Sequence, residues 1–112
     1  MAGTDAKRRL ASAIQSEVAK LIRTELSDPA LEEILVTVTH VDVNKDGGVA
    51  YIYVSLFGEE AKKPRALVAL NRAAGFLRGP LGRRCRLRHA PQLKFFDDHQ
   101  ADMDRTLQDL ES

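Results

Sequence analysis

Pro64-Arg65-Ala66-Leu67-Val68-Ala69-Leu70-Asn71-Arg72-Ala73-Ala74-Gly75-Phe76-Leu77-Arg78 (residues 64–78) places Ala66, Leu67, Leu70, Ala73, Ala74 and Leu77 on one helical stripe, with Arg65 and Arg72 opposite. Proline suits the first turn of such a helix, where no donor is needed. Gly75 interrupts the pattern and predicts a kink or a tight helix–helix junction. A second, short helix is expected to run to about residue 84. Gly79-Pro80 sits badly inside it and is expected to trim or bend it. Beyond lies Gln92 to Phe96, read as a strand with Pro91 near its start.

On the other side, Val49 to Phe57 alternates. Ala50, Ile52, Val54 and Leu56 face one way; Tyr51, Tyr53 and Ser55 face the other. Asn44-Lys45-Asp46-Gly47-Gly48 is a turn cluster, and Ile34 to Val43 is a β-branched strand, so the two strands form a hairpin. The apolar phase slips near His40, from Val36 and Val38 to Val41 and Val43. That predicts a bulge or a strand apolar on both faces. Residues 5–26 read as a helix with Leu10, Ala11, Ile14, Val18, Leu21, Ile22 and Leu26 on one side. Thr4 or Asp5 caps its start, and Ser27-Asp28-Pro29 stops it. The order helix, strand, strand, helix, kink, helix, strand predicts an α+β fold, a three-stranded mixed sheet with helices on one face.

At 112 residues the chain is one domain's worth, long enough for a core without staples. The lone Cys85 excludes an intrachain disulfide and a Cys-pair metal site. No apolar run approaches a membrane span, and the start lacks a signal-type apolar stretch. A soluble cytoplasmic protein is expected, with no membrane partner.

The net charge of +1 conceals a segregation. Residues 1–60 carry 6 basic and 10 acidic side chains; residues 61–96 carry 10 basic and none acidic; residues 97–112 carry 1 basic and 6 acidic. A face that excludes carboxylates suits a polyanion, because each phosphate contact releases counterions and a carboxylate would repel the phosphate. Arg83-Arg84-Cys85-Arg86-Leu87-Arg88-His89 holds four arginines, more than a helix dipole rationalises. Arg72, Arg78, Arg83, Arg84, Arg86, Arg88 and Lys94 are the expected RNA-binding residues. Arg9, Lys20 and Arg23 of the first helix extend that surface.

Other motifs are weaker. Asp42 to Gly47 opens like a calcium loop, but Tyr53 stands where a bidentate Glu is needed. Gly79-Pro80-Leu81-Gly82 matches the GxxG backbone clamp of KH domains, and equally a helix-terminating turn. Tyr51 and Tyr53 suit base stacking but lack the surrounding positions of the known motif, so packing, or ordinary exposed strand tyrosines, is the preferred reading. Arginines around Cys85 would lower its pKa, yet no base or pocket accompanies it. No catalytic motif, cofactor motif or metal-ligand spacing is present, so no enzyme activity, cofactor, metal or small-molecule substrate is expected.

Ala69-Leu70-Asn71-Arg72-Ala73-Ala74-Gly75-Phe76-Leu77-Arg78, with Leu81-Gly82-Arg83-Arg84 and Arg86-Leu87-Arg88, resembles the ribosome-binding factor A family. Glu25 to Pro29, Val36 to Val43, Ala50 to Ser55 and Pro91 to Phe95 resemble the same family, which covers roughly residues 7–110. The resemblance implies a KH-like fold of type II order, with a kink at Ala73-Ala74-Gly75 in place of the GxxG loop. It implies a monomeric, non-catalytic assembly factor that binds the small (30S) ribosomal subunit and its 16S rRNA late in maturation. It further implies a part in 5′-end processing and in growth in the cold. Residues 1–98 are then one KH-like RNA-binding domain and 99–112 an acidic tail. Two departures stand out: Gly79-Pro80 replaces helix formers, and little chain follows the third strand. Rival readings are a generic single-stranded RNA-binding KH module using Gly79 to Gly82, and a protein-interaction adaptor whose basic face meets an acidic partner.

Overall fold

The hairpin organises the sheet. In the computed structural model, which describes residues 2–99, β1 (Leu35–Val43) pairs antiparallel with β2 (Val49–Phe57). The turn is closed by Asn44, whose side-chain Oδ1 accepts from the Val49 amide at 2.9 Å, and by Gly47 at φ 78. Only glycine holds that φ without a steric cost. The expected irregularity is a bulge at Thr39: Val38 pairs with Val54, and His40 already pairs with Tyr53. The extra residue shifts the phase by one, so Val38 and Val41 both face the core. Thr39 Oγ1 donates to the Tyr53 carbonyl at 3.2 Å.

β3 (Gln92–Asp97) lies parallel to β2, giving the order β1-β2-β3. A parallel neighbour requires a crossover, and α2 (Lys63–Arg84) supplies it. With α1 (Ala2–Glu25), α2 covers one sheet face; short 3-10 turns at Pro29–Leu31 and Glu60–Lys62 lead into β1 and α2. The core is Ile14, Val18 and Leu21 from α1, Leu70, Leu77 and Leu81 from α2, and the inward rows of the strands. The fold class is thus the expected α+β arrangement, with two helices on one face of a three-stranded mixed sheet.

The expected pair of helices is one continuous helix. α2 runs without interruption through Ala73, Ala74, Gly75, Gly79 and Pro80 to Arg84. Among the described residues, the glycines with positive φ are Gly47 and Gly58, so Gly75 does not occupy a left-handed position. A Cβ on Gly75 would meet nothing within 4 Å, so close approach does not require glycine there either. The packing explains why local breakers fail. Three glycines at about 1 kcal/mol each and a proline at about 3 would cost an isolated helix about 6 kcal/mol. Complete burial of Leu70, Leu77 and Leu81 contributes roughly 1.5–3 kcal/mol each and offsets that cost. Gly79 also lacks the Cβ that normally clashes ahead of a proline, which keeps the helical conformation open to it. Gly75→Ala is expected to raise stability by about 0.5–1 kcal/mol, read as a higher melting temperature.

Candidate nucleic-acid interface

The basic side chains of residues 61–96 divide by what each already holds. Lys62 pairs with Glu33 and, at 3.6 Å, with Glu59; Lys63 pairs with Glu60 at 2.6 Å. Arg78 donates from Nε to the Pro91 carbonyl at 3.1 Å and from Nη2 to the Ala90 carbonyl at 2.8 Å. It fastens the link between α2 and β3 onto the helix. Arg84 Nη1 stands 3.5 Å from Glu17 Oε2, and Lys20 Nζ stands 3.7 Å from Glu17 Oε1, so one carboxylate of α1 joins both. Arg65, Arg72, Arg83, Arg86, Arg88 and Lys94 are exposed and hold no ion pair or side-chain hydrogen bond among the described residues, and the same is true of Arg9 and Arg23.

Four exposed side chains make the outer stripe of α2. Arg65, Arg72, Phe76 and Arg83 recur at intervals of seven, four and seven, each close to a whole number of turns, over about 27 Å. At its N-terminal end the stripe borders a cleft of about 710 Å³ lined by Arg65, Val68 and Arg72 on one wall and by Asp28, Glu32 and Glu33 on the other. At its C-terminal end Arg83 folds back over Gly79, where a Cβ would lie 3.5 Å from Nη1.

The helix ends in a Schellman cap. The Leu87 amide donates to the Gly82 carbonyl at 2.8 Å and the Arg86 amide to the Arg83 carbonyl at 3.3 Å, with Arg86 at φ 54. Glycine normally occupies this left-handed position, and another residue costs about 1–2 kcal/mol. Arg86→Gly is expected to raise the melting temperature, by the equivalent of about 1 kcal/mol.

Placement divides the expected site residues further. Arg9 and Arg23 lie on the solvent side of α1, and through Glu17 the α1 surface continues into the end of α2. Lys94 does not join them. Leu93 and Phe95 face the helices, so Lys94 projects from the helix-free sheet face beside Tyr51. On that face Tyr53 is only 6% exposed, with ring centroids 5.8 Å from His40 and 5.7 Å from Phe96, and Tyr51 is 6.1 Å from Phe96. Of the two readings left open by the sequence, packing holds for Tyr53, which is buried, while Tyr51 is half-buried against Phe96.

Gly79-Pro80-Leu81-Gly82 lies inside α2 rather than in a loop, so its amides are not arrayed as a backbone clamp. The Cys85 expectation is overturned: burial first, and then the charge of Glu17, push its thiol pKa up rather than down. Two residues had no assigned role from sequence. Asn71 Oδ1 accepts from the Phe95 amide at 2.9 Å, and its Nδ2 donates to the Phe95 carbonyl at 3.1 Å. Phe76 is 58% exposed on the arginine stripe. Its position at seven residues before Arg83 and four after Arg72 was the available signal.

Comparison with known proteins gives the same family throughout. A model of the ribosome-binding factor A family matches residues 6–111. Ribosome-binding factor A of Desulfitobacterium hafniense (strain DSM 10664 / DCB-2) is 48% identical over 87 residues, covering 78% of this chain and 68% of the relative. The crystal structure of ribosome-binding factor A from Thermus thermophilus superposes with a TM-score of 0.71 at 39% identity, covering 83% of this chain and 97% of that one. A homology model of the Thermus thermophilus protein, fitted into a cryo-EM map of its complex with the 30S subunit, matches with a TM-score of 0.53 at 39% identity, covering 85% and 89%. With the residue pattern, the sheet order and these likenesses in agreement, the chain belongs to the ribosome-binding factor A family.

Proposed function

We propose that this protein binds the small ribosomal subunit through its 16S rRNA, as a non-catalytic factor acting late in subunit maturation. The observation that carries the reading is the run of arginines without a partner among the described residues, on the outer surface of the helical layer, in a segment without a carboxylate. Arg72, Arg83, Arg86 and Arg88 contact phosphate, with Arg9 and Arg23 extending the surface. Lys20, Arg78 and Arg84 support it while holding their intramolecular partners, and Lys94 stands outside it. The Thermus relative fitted into a map of a 30S complex supports the choice of partner.

In this reading the protein acts by occupancy: bound, it favours one rRNA conformation by its differential affinity for it. Assistance to 5′-end processing and to growth in the cold follows from stabilising that conformation. The protein works as a cytoplasmic monomer without cofactor or metal. Residues 1–98 form the binding domain. The acidic segment 99–112, which lies outside the described residues apart from His99, keeps the protein soluble or covers the basic face when RNA is absent.

Phosphate-driven binding has a defined salt dependence. With about five phosphates neutralised, the logarithm of the affinity for purified small subunits should fall with the logarithm of salt at a slope of roughly −3 to −5. Sedimentation of the protein with subunits across a salt series measures it. A slope near zero would remove the polyanion reading.

A further inference from the structure

We propose that Phe76 is a stacking platform for an unpaired base of the bound RNA, set between two phosphate-binding arginines. The inference rests on the RNA-binding reading and deepens it.

A single exposed apolar residue usually means nothing. Phe76 differs through its surroundings. It is 58% exposed in the middle of a well-packed helix, on the stripe opposite the buried leucines. Arg72 precedes it by one turn and Arg83 follows it by two, and among the described residues neither is paired with a carboxylate. On one side of the ring Gly75 carries no side chain, and a Cβ there would meet nothing within 4 Å, so a ligand can approach the helix closely; on the other side the Arg83 guanidinium lies over Gly79.

The charges select the occupant. A protein or lipid partner docking on an apolar patch needs a contiguous one; here Arg72 separates the ring from Val68, the other large exposed apolar side chain of α2, and the stripe carries no acidic residue. An aromatic face flanked by cations matches a nucleotide, whose base is flat and apolar and whose phosphates are anionic. Stacking is tolerant of base identity because every base has a π-face. The platform therefore contributes affinity that does not depend on salt, beside the arginines' contribution that does.

That separation supplies the test. Phe76→Leu keeps an apolar helix former and removes the π-face; Phe76→Trp keeps it. Binding to purified small subunits is measured for the parent and both variants across a salt series, with thermal melts as the check on folding. Phe76→Leu should melt like the parent, bind between about 5- and 150-fold more weakly, and keep the parent's salt slope. Arg72→Ala, in contrast, should reduce the slope by about one. Phe76→Trp should bind as well as the parent. Because the chain has no tryptophan of its own, the fluorescence of this variant should be quenched as subunits are added. Undiminished binding by Phe76→Leu, with the parent's slope still steep, overturns the platform and leaves the RNA reading standing. A parent slope near zero removes the RNA reading itself. A Phe76→Leu protein that melts well below the parent shows the ring to be structural and overturns the platform.

Discussion

Arg72→Glu combined with Arg83→Glu is expected to weaken binding to small subunits by at least about 100-fold while leaving the melting temperature nearly unchanged. Both side chains are exposed and hold no ion pair among the described residues, so that part of the fold loses none. A charge-assisted contact contributes about 1.5–3 kcal/mol, and two such contacts amount to about 3–6, or a factor of roughly 10² to 10⁴. Reversal adds repulsion of the phosphates and works against binding at low salt most of all. Arg84 is a poorer choice for this experiment than its position beside Arg83 suggests. Its guanidinium stands 3.5 Å from Glu17, so a carboxylate at position 84 would also repel Glu17 and strain the contact between α1 and α2. Sedimentation with subunits and a thermal melt, measured on the same preparation, separate the two effects. A double variant that unfolds would assign Arg72 and Arg83 to the structure.

The contrast between Arg83 and Arg84 shows where sequence reading stops. The acid-free segment is visible as a count, and its electrostatic meaning follows without coordinates. Which arginines remain free depends on carboxylates and carbonyls brought near by folding. Glu17 is 67 positions away from Arg84, and no spacing rule connects them. Arg78 looks like its neighbours in sequence, yet it is committed to the carbonyls of Ala90 and Pro91 because the chain turns back there after the Schellman cap.

The same division holds for the fold. The hairpin and the Thr39 bulge were legible because strand alternation is a local signal, and a slip of one residue leaves its mark in the apolar pattern. The break expected at Gly75 was not there because glycine and proline report only local propensity. Propensity differs by a few kcal/mol across α2, and burial of three leucines is of the same size. Interrupted and continuous helices would have shown the same glycines and the same proline. Only the neighbours on the sheet distinguish them.

Asn71→Ala is expected to be the most destabilising of these single substitutions, by about 2–3 kcal/mol. β3 is an edge strand, with one side paired to β2 and the other facing α2. Asn71 lies on α2 and presents its amide to that free side. Its Oδ1 takes the Phe95 amide hydrogen at 2.9 Å and its Nδ2 meets the Phe95 carbonyl at 3.1 Å, as a neighbouring strand would. Nδ2 also reaches the Leu67 carbonyl at 3.3 Å. Truncation removes two bonds to the strand at about 1 kcal/mol each, and it leaves a part-buried amide unsatisfied, which adds to the cost. Asn71→Asp sharpens the test. The carboxylate still accepts from the Phe95 amide but has no hydrogen for the carbonyl, so its cost should fall between those of the parent and alanine above about pH 6. Lowering the pH toward about 3 protonates the group and restores a donor, so the gap between Asn71→Asp and the parent should narrow there. Chemical unfolding of the three proteins at both pH values measures this, with the parent's own acid sensitivity as the reference. An Asn71→Ala protein as stable as the parent would show that water satisfies the edge of β3 as well as the side chain does, and that the asparagine stands on α2 for some reason other than holding the strand.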